Sequence, residues 1–406
     1  MSRQTLLVLG LARSGRAAAL ALARQGDRVV AVDRAADVET GRLAAAGVEI
    51  HLGTEKTSLL EGVDVLIKSP GVPAEAPLVT AARERGIPVW SEVELGSRLL
   101  PNPILGVTGT NGKTTTSELL GAMLGAPVAG NVGRALTELD GEVDADQWIV
   151  CELSSFQLED VYDFRPRIAV LLNLEPDHLD RHGSFDAYRD AKLRAFENQG
   201  AEDVAVLPRG FGEVPGQAMR VEFSADDQLP AEPRIPGAHN RENAAAATAA
   251  ARAAGIPDEQ IAEALRTFPG VPHRLEEVAE IGGVRFVNDS KATNAAAARR
   301  AIAAFDEPLH VILGGLGKNE SYAKLSADLR SRRAHAYLIG AAASELAAAL
   351  DEYELCGDLA TAVRSAAAAA KAGEIVLLSP ACASYDQFRD FEERGDEFRR
   401  LVEELR

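Results

Sequence analysis

The strongest constraint on the fold is the stretch GVTGTNGKTTT at residues 106–116. It follows a short apolar run at residues 104–107 and precedes SELLGAMLG, which has helical spacing. A strand, a glycine-rich turn and a helix start can hold a polyphosphate, because backbone N–H groups and the helix N-terminus point at the anion. In such a loop Lys113 reaches the β- and γ-phosphates and the Thr114 hydroxyl ligates Mg²⁺. The stretch therefore predicts a phosphate loop within an α/β domain.

This loop departs from the common spacing G-x-x-x-x-G-K-[ST]. Val107 stands where the first glycine would be, and Gly109 lies inside the loop instead. The alternative is a glycine-rich turn that binds nothing. Two glycines, a lysine and three successive threonines argue against that alternative.

Length and composition narrow the class of protein. The 406 residues are enough for two to four domains, and no apolar run approaches the ~20 residues that a membrane span needs. The start of the chain does not resemble a signal peptide, and its three scattered cysteines favour a reducing cytoplasm. A net charge of −18 argues against a nucleic-acid surface.

Strand and helix patterns alternate along the whole chain, which predicts parallel, doubly wound sheets. Linker-like stretches divide the chain into three domains: residues 1–93, 94–270 and 271–406. We expect a Rossmann-like first domain, a central domain of the phosphate-loop ATPase type and a Rossmann-like third domain. Polar residues follow many of the strands, where open α/β sheets bind their ligands.

The first domain carries a degraded dinucleotide fingerprint, Gly10-x-Ala12-x-x-Gly15, with Asp33 at the end of the next strand. A nucleotide site and a Rossmann-like layer without any cofactor both fit this pattern.

In the central domain, Glu152 and His178 follow two apolar strands. At these strand ends they are candidate contacts to a metal ion and to the substrate. For Glu152 the alternative is a helix-capping carboxylate, and for His178 an exposed loop histidine. Lys192 lies in an amphipathic helix that begins after Ser184, where a lone lysine usually lies on a solvated face. Asn243 near the start of a later helix is either a cap or a ligand contact.

Together the motifs resemble the Mur amide-ligase superfamily over all three domains. The loop TGTNGK occurs throughout that superfamily, including folylpolyglutamate synthase, whereas ELSSFQLE, NDSKATN and SPACASYDQF are specific to its D-glutamate-adding ligases. The other matching motifs are NLEPDHLDRHGS, AKLRAF, HNRENAAAA, PHRLE and LGGLGK.

The resemblance implies an ATP-dependent ligase that joins D-glutamate to UDP-N-acetylmuramoyl-L-alanine through an acyl phosphate, in cytoplasmic peptidoglycan synthesis. It implies ATP and Mg²⁺ as cofactors, a monomer, and no nucleic-acid or membrane partner. A carboxylate is a poor electrophile and must first be phosphorylated, a reaction that depends mainly on positioning and charge neutralisation.

The resemblance also implies roles for individual residues. The catalytic residues are Lys113, Glu152, His178 and Lys192. The metal ligands are Thr114, Glu152, His178 and Lys192, the last as a carbamate formed with CO₂. The ATP contacts are Gly109, Thr110, Asn111, Gly112, Lys113, Thr114, Thr115, Asn243, Arg274 and Asp289. The UDP-sugar contacts are Arg13, Ser14, Asp33, Arg34, Ser69, Gly71 and Asn131. The D-glutamate contacts are Lys291, Thr293, Lys318, Ser384, Tyr385 and Phe391.

Two functions of other classes compete with a ligase. An NAD(P) oxidoreductase would use the first domain, but Ala12 in the fingerprint and the phosphate loop argue against it. A nucleotide-gated switch without a substrate would not need clusters of polar strand ends in three domains.

Overall fold

We describe a computed structural model of the chain, which covers residues 4–317 and 321–406. Within those ranges the chain forms three β-sheets with helices between their strands. All strand pairs are parallel except β12 (Glu276–Ile281) with β13 (Val284–Asn288). The predicted three-domain α/β fold class is confirmed.

The first sheet has the strand order β3-β2-β1-β4-β5. Its strands are β1 (Thr5–Leu9), β2 (Arg28–Asp33), β3 (Glu49–Leu52), β4 (Val65–Lys68) and β5 (Val89–Ser91). Its helices are α1 (Arg13–Arg24), α2 (Gly41–Ala45), α3 (Pro77–Glu84) and α4 (Glu92–Leu99), with a 3₁₀ helix at Thr57–Leu60. Because the order reverses between β1 and β4, a crevice opens there at the carboxyl ends of the strands.

The second sheet has the order β11-β10-β9-β6-β8-β7. Its strands are β6 (Ile104–Thr108), β7 (Val128–Gly130), β8 (Ile149–Glu152), β9 (Ile168–Leu171), β10 (Val204–Pro208) and β11 (Met219–Phe223). The helices are α5 (Lys113–Leu124), α6 (Ser155–Leu158), α7 (Leu179–His182), α8 (Phe185–Leu193), α9 (Ala238–Ala253) and α10 (Asp258–Thr267), with 3₁₀ helices at Leu136–Leu139 and Arg194–Phe196. Strand β6 lies between β8 and β9, so the phosphate loop leaves the middle of the sheet.

The third sheet has the order β12-β13-β17-β14-β15-β16. Its remaining strands are β14 (Leu309–Gly314), β15 (His335–Ile339), β16 (Tyr353–Gly357) and β17 (Ile375–Ala381). Its helices are α11 (Ala295–Ala303), α12 (Ala323–Ser331), α13 (Ala343–Ala349), α14 (Leu359–Ala369) and α15 (Phe391–Glu403).

Helices cover both faces of the first sheet, so its strands are apolar at successive positions. In β1, Leu6 and Val8 pack into one buried cluster, and Leu7 and Leu9 pack into another. This two-sided burial explains why continuous apolar runs, and not alternating ones, predicted the central strands correctly.

The sequence patterns marked no strand at β3, β7, β10, β11, β12 or β16, and all of these except β10 lie at sheet edges. Edge strands bury less surface and lack a continuous apolar run. In β16, for example, every residue is at least partly exposed.

The described structure divides into two compact units, Met1–Glu232 with Glu242–Leu265, and Pro233–Arg241 with Arg266–Arg406. The first unit contains the first two sheets and the second unit contains the third. The boundaries at residues 93/94 and 270/271 remain predictions. Among the described residues, no helix combines the length and the apolar character needed to cross a membrane.

Two buried ionisable groups lie where the first two sheets pack together. Lys68, at the end of β4, is 1% exposed, and its Nζ lies 2.7 Å from Asp160 Oδ2 and 3.4 Å from Glu159 Oε2. Glu92 begins α4 and is fully buried. Its Oε1 accepts hydrogen bonds from the Thr137 backbone N–H at 2.7 Å and the Thr137 hydroxyl at 2.8 Å.

Candidate active site

The phosphate loop connects β6 to α5. Gly109 and Gly112 adopt φ angles of 146° and 87°, a region that strongly favours glycine. A Cβ on Gly112 would lie 2.2 Å from Asn243 Oδ1 in α9. Glycine is therefore required here for both backbone geometry and packing, and the packing brings Asn243, a predicted ATP contact, against the loop.

Two lysine side chains converge on the carbonyl oxygen of Gly109. Lys113 Nζ donates to this oxygen at 2.8 Å and to the Thr110 carbonyl at 2.9 Å. Lys192 Nζ, from α8, donates to the same Gly109 oxygen at 2.8 Å. The structure thus brings two predicted catalytic amines together at the loop.

Lys192 is only 2% exposed, so the solvated-face alternative is wrong. Burial and the neighbouring Lys113 ammonium lower the pKa of Lys192 to about 7. Its Nζ lies 4.7 Å from the ring centroid of Tyr188, whose hydroxyl is 2.9 Å from Thr110 Oγ1. With that pKa, a large fraction of Lys192 is neutral amine near pH 7.

Glu152 ends β8, which pairs with β6 so that Glu152 lies opposite Val107. The helix-capping alternative is wrong, because Ser154 and Gln157 form the capping box of α6. Oε1 of Glu152 accepts from Asn131 Nδ2 at 2.8 Å. Oε2 is buried and has no hydrogen-bond partner among the described residues. An unpaired buried carboxylate oxygen close to a phosphate loop fits a hard cation such as Mg²⁺.

His178 adopts a left-handed conformation, with φ 51°, directly before α7. Its side chain is 50% exposed, as the exposed-loop alternative expects. No group of three or more His, Cys, Asp and Glu side chains is placed to hold a metal within residues 4–317 and 321–406. The predicted ligands include only two residues of those types, Glu152 and His178, so the set depends on Thr114 and on a modified Lys192.

An aromatic cluster that was not predicted holds the segment that carries His178. The Phe156 ring stacks on His182, with centroids 5.3 Å apart, and lies 5.0 Å from the His178 ring. The guanidinium of Arg181 lies 4.0 Å from the Phe156 centroid. Arg181 also donates to the carbonyl oxygens of Pro70 at 3.1 Å and Val72 at 3.3 Å. It therefore ties the His178 segment to the turn that follows β4.

A cleft of about 460 Å³ opens at the crevice between β1 and β4. Every residue predicted to contact the UDP-sugar lines it: Arg13, Ser14, Asp33, Arg34, Ser69, Gly71 and Asn131. Pro70, Val72 and Gln157 also line this cleft, which we call the nucleotide cleft after the ligand predicted for it.

Residues of the degraded fingerprint make close contacts beside the nucleotide cleft. Oδ2 of Asp33 accepts from the Leu11 N–H at 2.6 Å, and the Ser69 hydroxyl donates to the Gly10 carbonyl at 2.6 Å. A Cβ on Gly15 would lie 1.8 Å from the Gly10 oxygen, so α1 packs directly on the turn. The fingerprint residues therefore build a tight turn at the floor of the cleft.

In the second unit, two left-handed residues flank Arg274: His273 with φ 61° and Leu275 with φ 45°. Such backbone strain is concentrated at functional sites in proteins. Asp289 accepts from the Ser379 hydroxyl at 2.8 Å, and burial raises the pKa of Asp289 to about 7. Oδ1 of Asp289 also accepts from the Leu275 N–H at 3.3 Å, which brings Asp289 next to the segment that carries Arg274; both were predicted to contact ATP.

The predicted D-glutamate residues follow β13 and β17, which are neighbours in the sheet. Nζ of Lys291 lies 5.6 Å from the Phe391 ring centroid. Ser384 is buried and Tyr385 is 69% exposed. Lys318 lies outside the described residues, so its predicted role is not placed.

Arg394 was not predicted, although it is the largest fully buried side chain among the described residues. It donates to the Ser290 backbone carbonyl at 2.8 Å, to the Ser290 hydroxyl at 3.0 Å and to the Cys382 carbonyl at 3.2 Å. It thereby joins the NDSKATN turn to the SPACAS turn. Burial lowers the pKa of Arg394 to about 10.

Comparison with family models finds three consecutive matches along the chain. Residues 4–91 match a Mur ligase MurD-like N-terminal domain, residues 107–211 a Mur ligase middle domain, and residues 273–382 a Mur ligase glutamate ligase domain.

Two curated relatives are both named UDP-N-acetylmuramoylalanine–D-glutamate ligase. The protein from Acidobacterium capsulatum is 42% identical, over 98% of this chain and 95% of its own. The protein from Anaeromyxobacter dehalogenans is 43% identical, over 98% of this chain and 97% of its own. Among solved structures, the UDP-N-acetylmuramate–alanine ligase of Thermotoga maritima aligns with a TM-score of 0.59 at 18% identity, over 99% of this chain and 100% of its own, which shows a shared fold.

Proposed function

This chain belongs to the Mur ligase family, and from that premise we propose that it joins D-glutamate to UDP-N-acetylmuramoyl-L-alanine at the expense of ATP. One observation carries the proposal. A single compact unit holds both a phosphate loop and a cleft lined by every residue predicted to bind the UDP-sugar. A nucleotide switch without a substrate has no use for that second cleft.

The nucleotide cleft would bind the UDP-sugar and direct its terminal carboxylate toward the phosphate loop. Lys113 leaves its carbonyl contacts on Gly109 and Thr110 and bonds the γ-phosphate of ATP. Its positive charge neutralises the charge that develops as the carboxylate attacks the γ-phosphorus, the bond from that phosphorus to the β,γ-bridging oxygen breaks, and ADP leaves. The amine of D-glutamate then attacks the acyl phosphate, forms the amide and releases phosphate. Lys291, Thr293, Ser384, Tyr385 and Phe391 would hold the D-glutamate.

Thr114, Glu152, His178 and the carbamate of Lys192 would hold Mg²⁺. When bound, Mg²⁺ supplies positive charge to the phosphate oxygens. The neutral Lys192 amine adds to the carbon of CO₂, an N–C bond forms, and one proton leaves to give an anionic carbamate. The lowered pKa and the burial of Lys192 support this modification, because an unmodified ammonium would repel the cation.

Release of phosphate in a coupled assay tests the proposed reaction. We expect turnover only when ATP, Mg²⁺, UDP-N-acetylmuramoyl-L-alanine and D-glutamate are all present. Lys113→Ala should lose roughly 10³-fold in kcat, the scale of losing a dominant electrostatic contact. The exposed Lys324→Ala serves as a matched control and should keep its turnover. Equal turnover with L-glutamate or meso-diaminopimelate would contradict the proposed substrate.

A monomeric state and a cytoplasmic location complete the proposal. Size-exclusion chromatography with light scattering at micromolar concentration tests the first. Cell fractionation tests the second.

A further inference from the structure

A second cleft, of about 380 Å³, lies beside the nucleotide cleft and shares Arg13 with it. It is bounded by α1, by α2 and by residues 134–142 of the central domain. Its charged lining is Arg13, Arg16, Arg24, Glu39, Arg42, Arg134, Glu138 and Glu142. We propose that this arginine cleft binds a small multivalent oxyanion of the phosphate class, such as pyrophosphate.

The sequence of α1 places its arginines on one side of the helix. Arg13, Arg16, Leu20 and Arg24 recur at spacings of three, four and four residues, so they form one stripe along the helix. This stripe faces the cleft, and Arg42 of α2 lines the same cleft. The concentration of arginine is therefore a property of one helix face and not of the whole surface.

The carboxylates of the cleft are already paired. Glu39 lies 3.8 Å from Arg16, while Glu138, at 3.6 Å, and Glu142 both pair with Arg134. Among the residues that the structure describes, no carboxylate lies within ion-pair distance of the remaining guanidinium groups, those of Arg13, Arg24 and Arg42. The cleft thus carries uncompensated positive charge in a chain whose net charge is −18.

Uncompensated like charges around one cleft repel each other, and a bound anion removes that repulsion. Guanidinium groups suit phosphate oxygens, because their planar N–H donors bind two oxygens at once. The volume of the cleft falls within the ~300–1,000 Å³ of common small-ligand pockets. The charge of the arginine cleft, the geometry of its donors and its volume therefore all favour a compact polyanion as the ligand.

Isothermal titration of the full chain with pyrophosphate, at low ionic strength and without Mg²⁺, tests the proposal. The double variant Arg24→Gln/Arg42→Gln removes two of the unpaired groups. Arg266→Gln is the matched control, since Arg266, like Arg24, is an exposed arginine in the last turn of a helix. Lys113→Ala separates the arginine cleft from the phosphate loop. No ligase turnover is measured, so failure of the proposed function would leave this test intact.

We expect one class of pyrophosphate sites that is at least about ten-fold weaker in the double variant, the scale of losing charge-assisted hydrogen bonds. The same class should persist in Arg266→Gln and in Lys113→Ala, and should weaken as salt is added. Equal binding by the wild type and the double variant would overturn the proposal. An equal loss in Arg266→Gln would also overturn it, because the effect would then follow from net charge alone.

Discussion

Two lysines of the first unit are almost equally buried, but they lie in opposite electrostatic surroundings. Lys68, between the first two sheets, is 1% exposed and contacts the carboxylates of Asp160 and Glu159. Lys192, under the phosphate loop, is 2% exposed; it donates to a backbone carbonyl and has Lys113 as a neighbour. Burial alone therefore does not determine which charges surround a lysine.

The difference lies in what compensates each buried charge. Burying an ammonium is costly unless an anion is paired with it. Lys68 has that anion, so its charge helps to hold two domains together. For Lys192 the largest effect of a neighbouring charge comes from the Lys113 ammonium, ahead of the Asp177 and Glu152 carboxylates, so its amine becomes neutral more easily. We expect mutations at the two sites to separate stability from catalysis.

The largest effect is expected at Lys192. Lys192→Ala should lower kcat by roughly 10³-fold while the thermal unfolding midpoint changes little, since the loss of one hydrogen bond and of the Tyr188 contact is offset by removal of a buried ammonium that has no ion-pair partner among the described residues. Added acetate should restore part of the turnover by replacing the missing anion. Lys192→Arg should also be inactive, because a guanidinium stays charged and forms no carbamate. Near-normal turnover of Lys192→Arg would show that Lys192 is an ordinary cation.

Lys68→Met should have the opposite effect: it should lower the stability of the fold and leave turnover nearly unchanged. Removing one partner of a buried ion pair leaves Asp160 with Arg83 as its one cationic partner among the described residues, and costs about 3 kcal/mol of unfolding free energy. Turnover per folded molecule should stay within a few-fold of the wild type. Urea denaturation and the phosphate-release assay measure the two quantities.

The control for Lys68 is the double variant Lys68→Met/Asp160→Asn, which should recover part of the lost stability because the buried Asp160 carboxylate is removed together with its ammonium partner. If Lys68→Met instead lost turnover without losing stability, the distinction between the two lysines would fail.

A smaller effect is expected at Arg181. Its hydrogen bonds join the segment that carries His178 to the turn after β4, the strand that ends at Lys68. Lysine cannot donate to both Pro70 and Val72 while it covers the Phe156 ring. Arg181→Lys should raise the KM for the UDP-sugar and lower kcat/KM by roughly ten-fold, with the KM for ATP unchanged. Arg189→Lys is the control, since Arg189, like Arg181, is partly buried, and it pairs with Asp186 and Asp190. Equal changes in the KM of both substrates would indicate general loosening of the fold.

The sequence predicted those parts of the molecule that depend on local pattern. Continuous apolar runs marked the central strands except β10, and polar strand ends marked the phosphate loop and the nucleotide cleft. Edge strands such as β16 escaped prediction because they are exposed and make few apolar contacts.

Long-range polar contacts also escaped prediction. Arg394 bonds Ser290, 104 residues away, and Arg181 bonds Pro70, 111 residues away. An isolated arginine in a helix carries no signal that it will be buried or will bridge two turns. Such positions become evident only when the sheets and their loops are assembled.

The buried Glu92 has a consequence for proton exchange. Burial raises its pKa to about 7. An acid with a raised pKa in the folded state stabilises the fold most at low pH, and this stability is lost as pH rises from about 4.5 through 7, in total about 3 kcal/mol. Near pH 6 the folded chain holds a proton that the unfolded chain releases, so the measured unfolding enthalpy should depend on the ionisation enthalpy of the buffer. Glu92→Gln should abolish that share of the dependence, and an unaltered dependence would assign the proton elsewhere. Near pH 6 a carboxyl group buried between the first two domains thus takes up one proton as the chain folds.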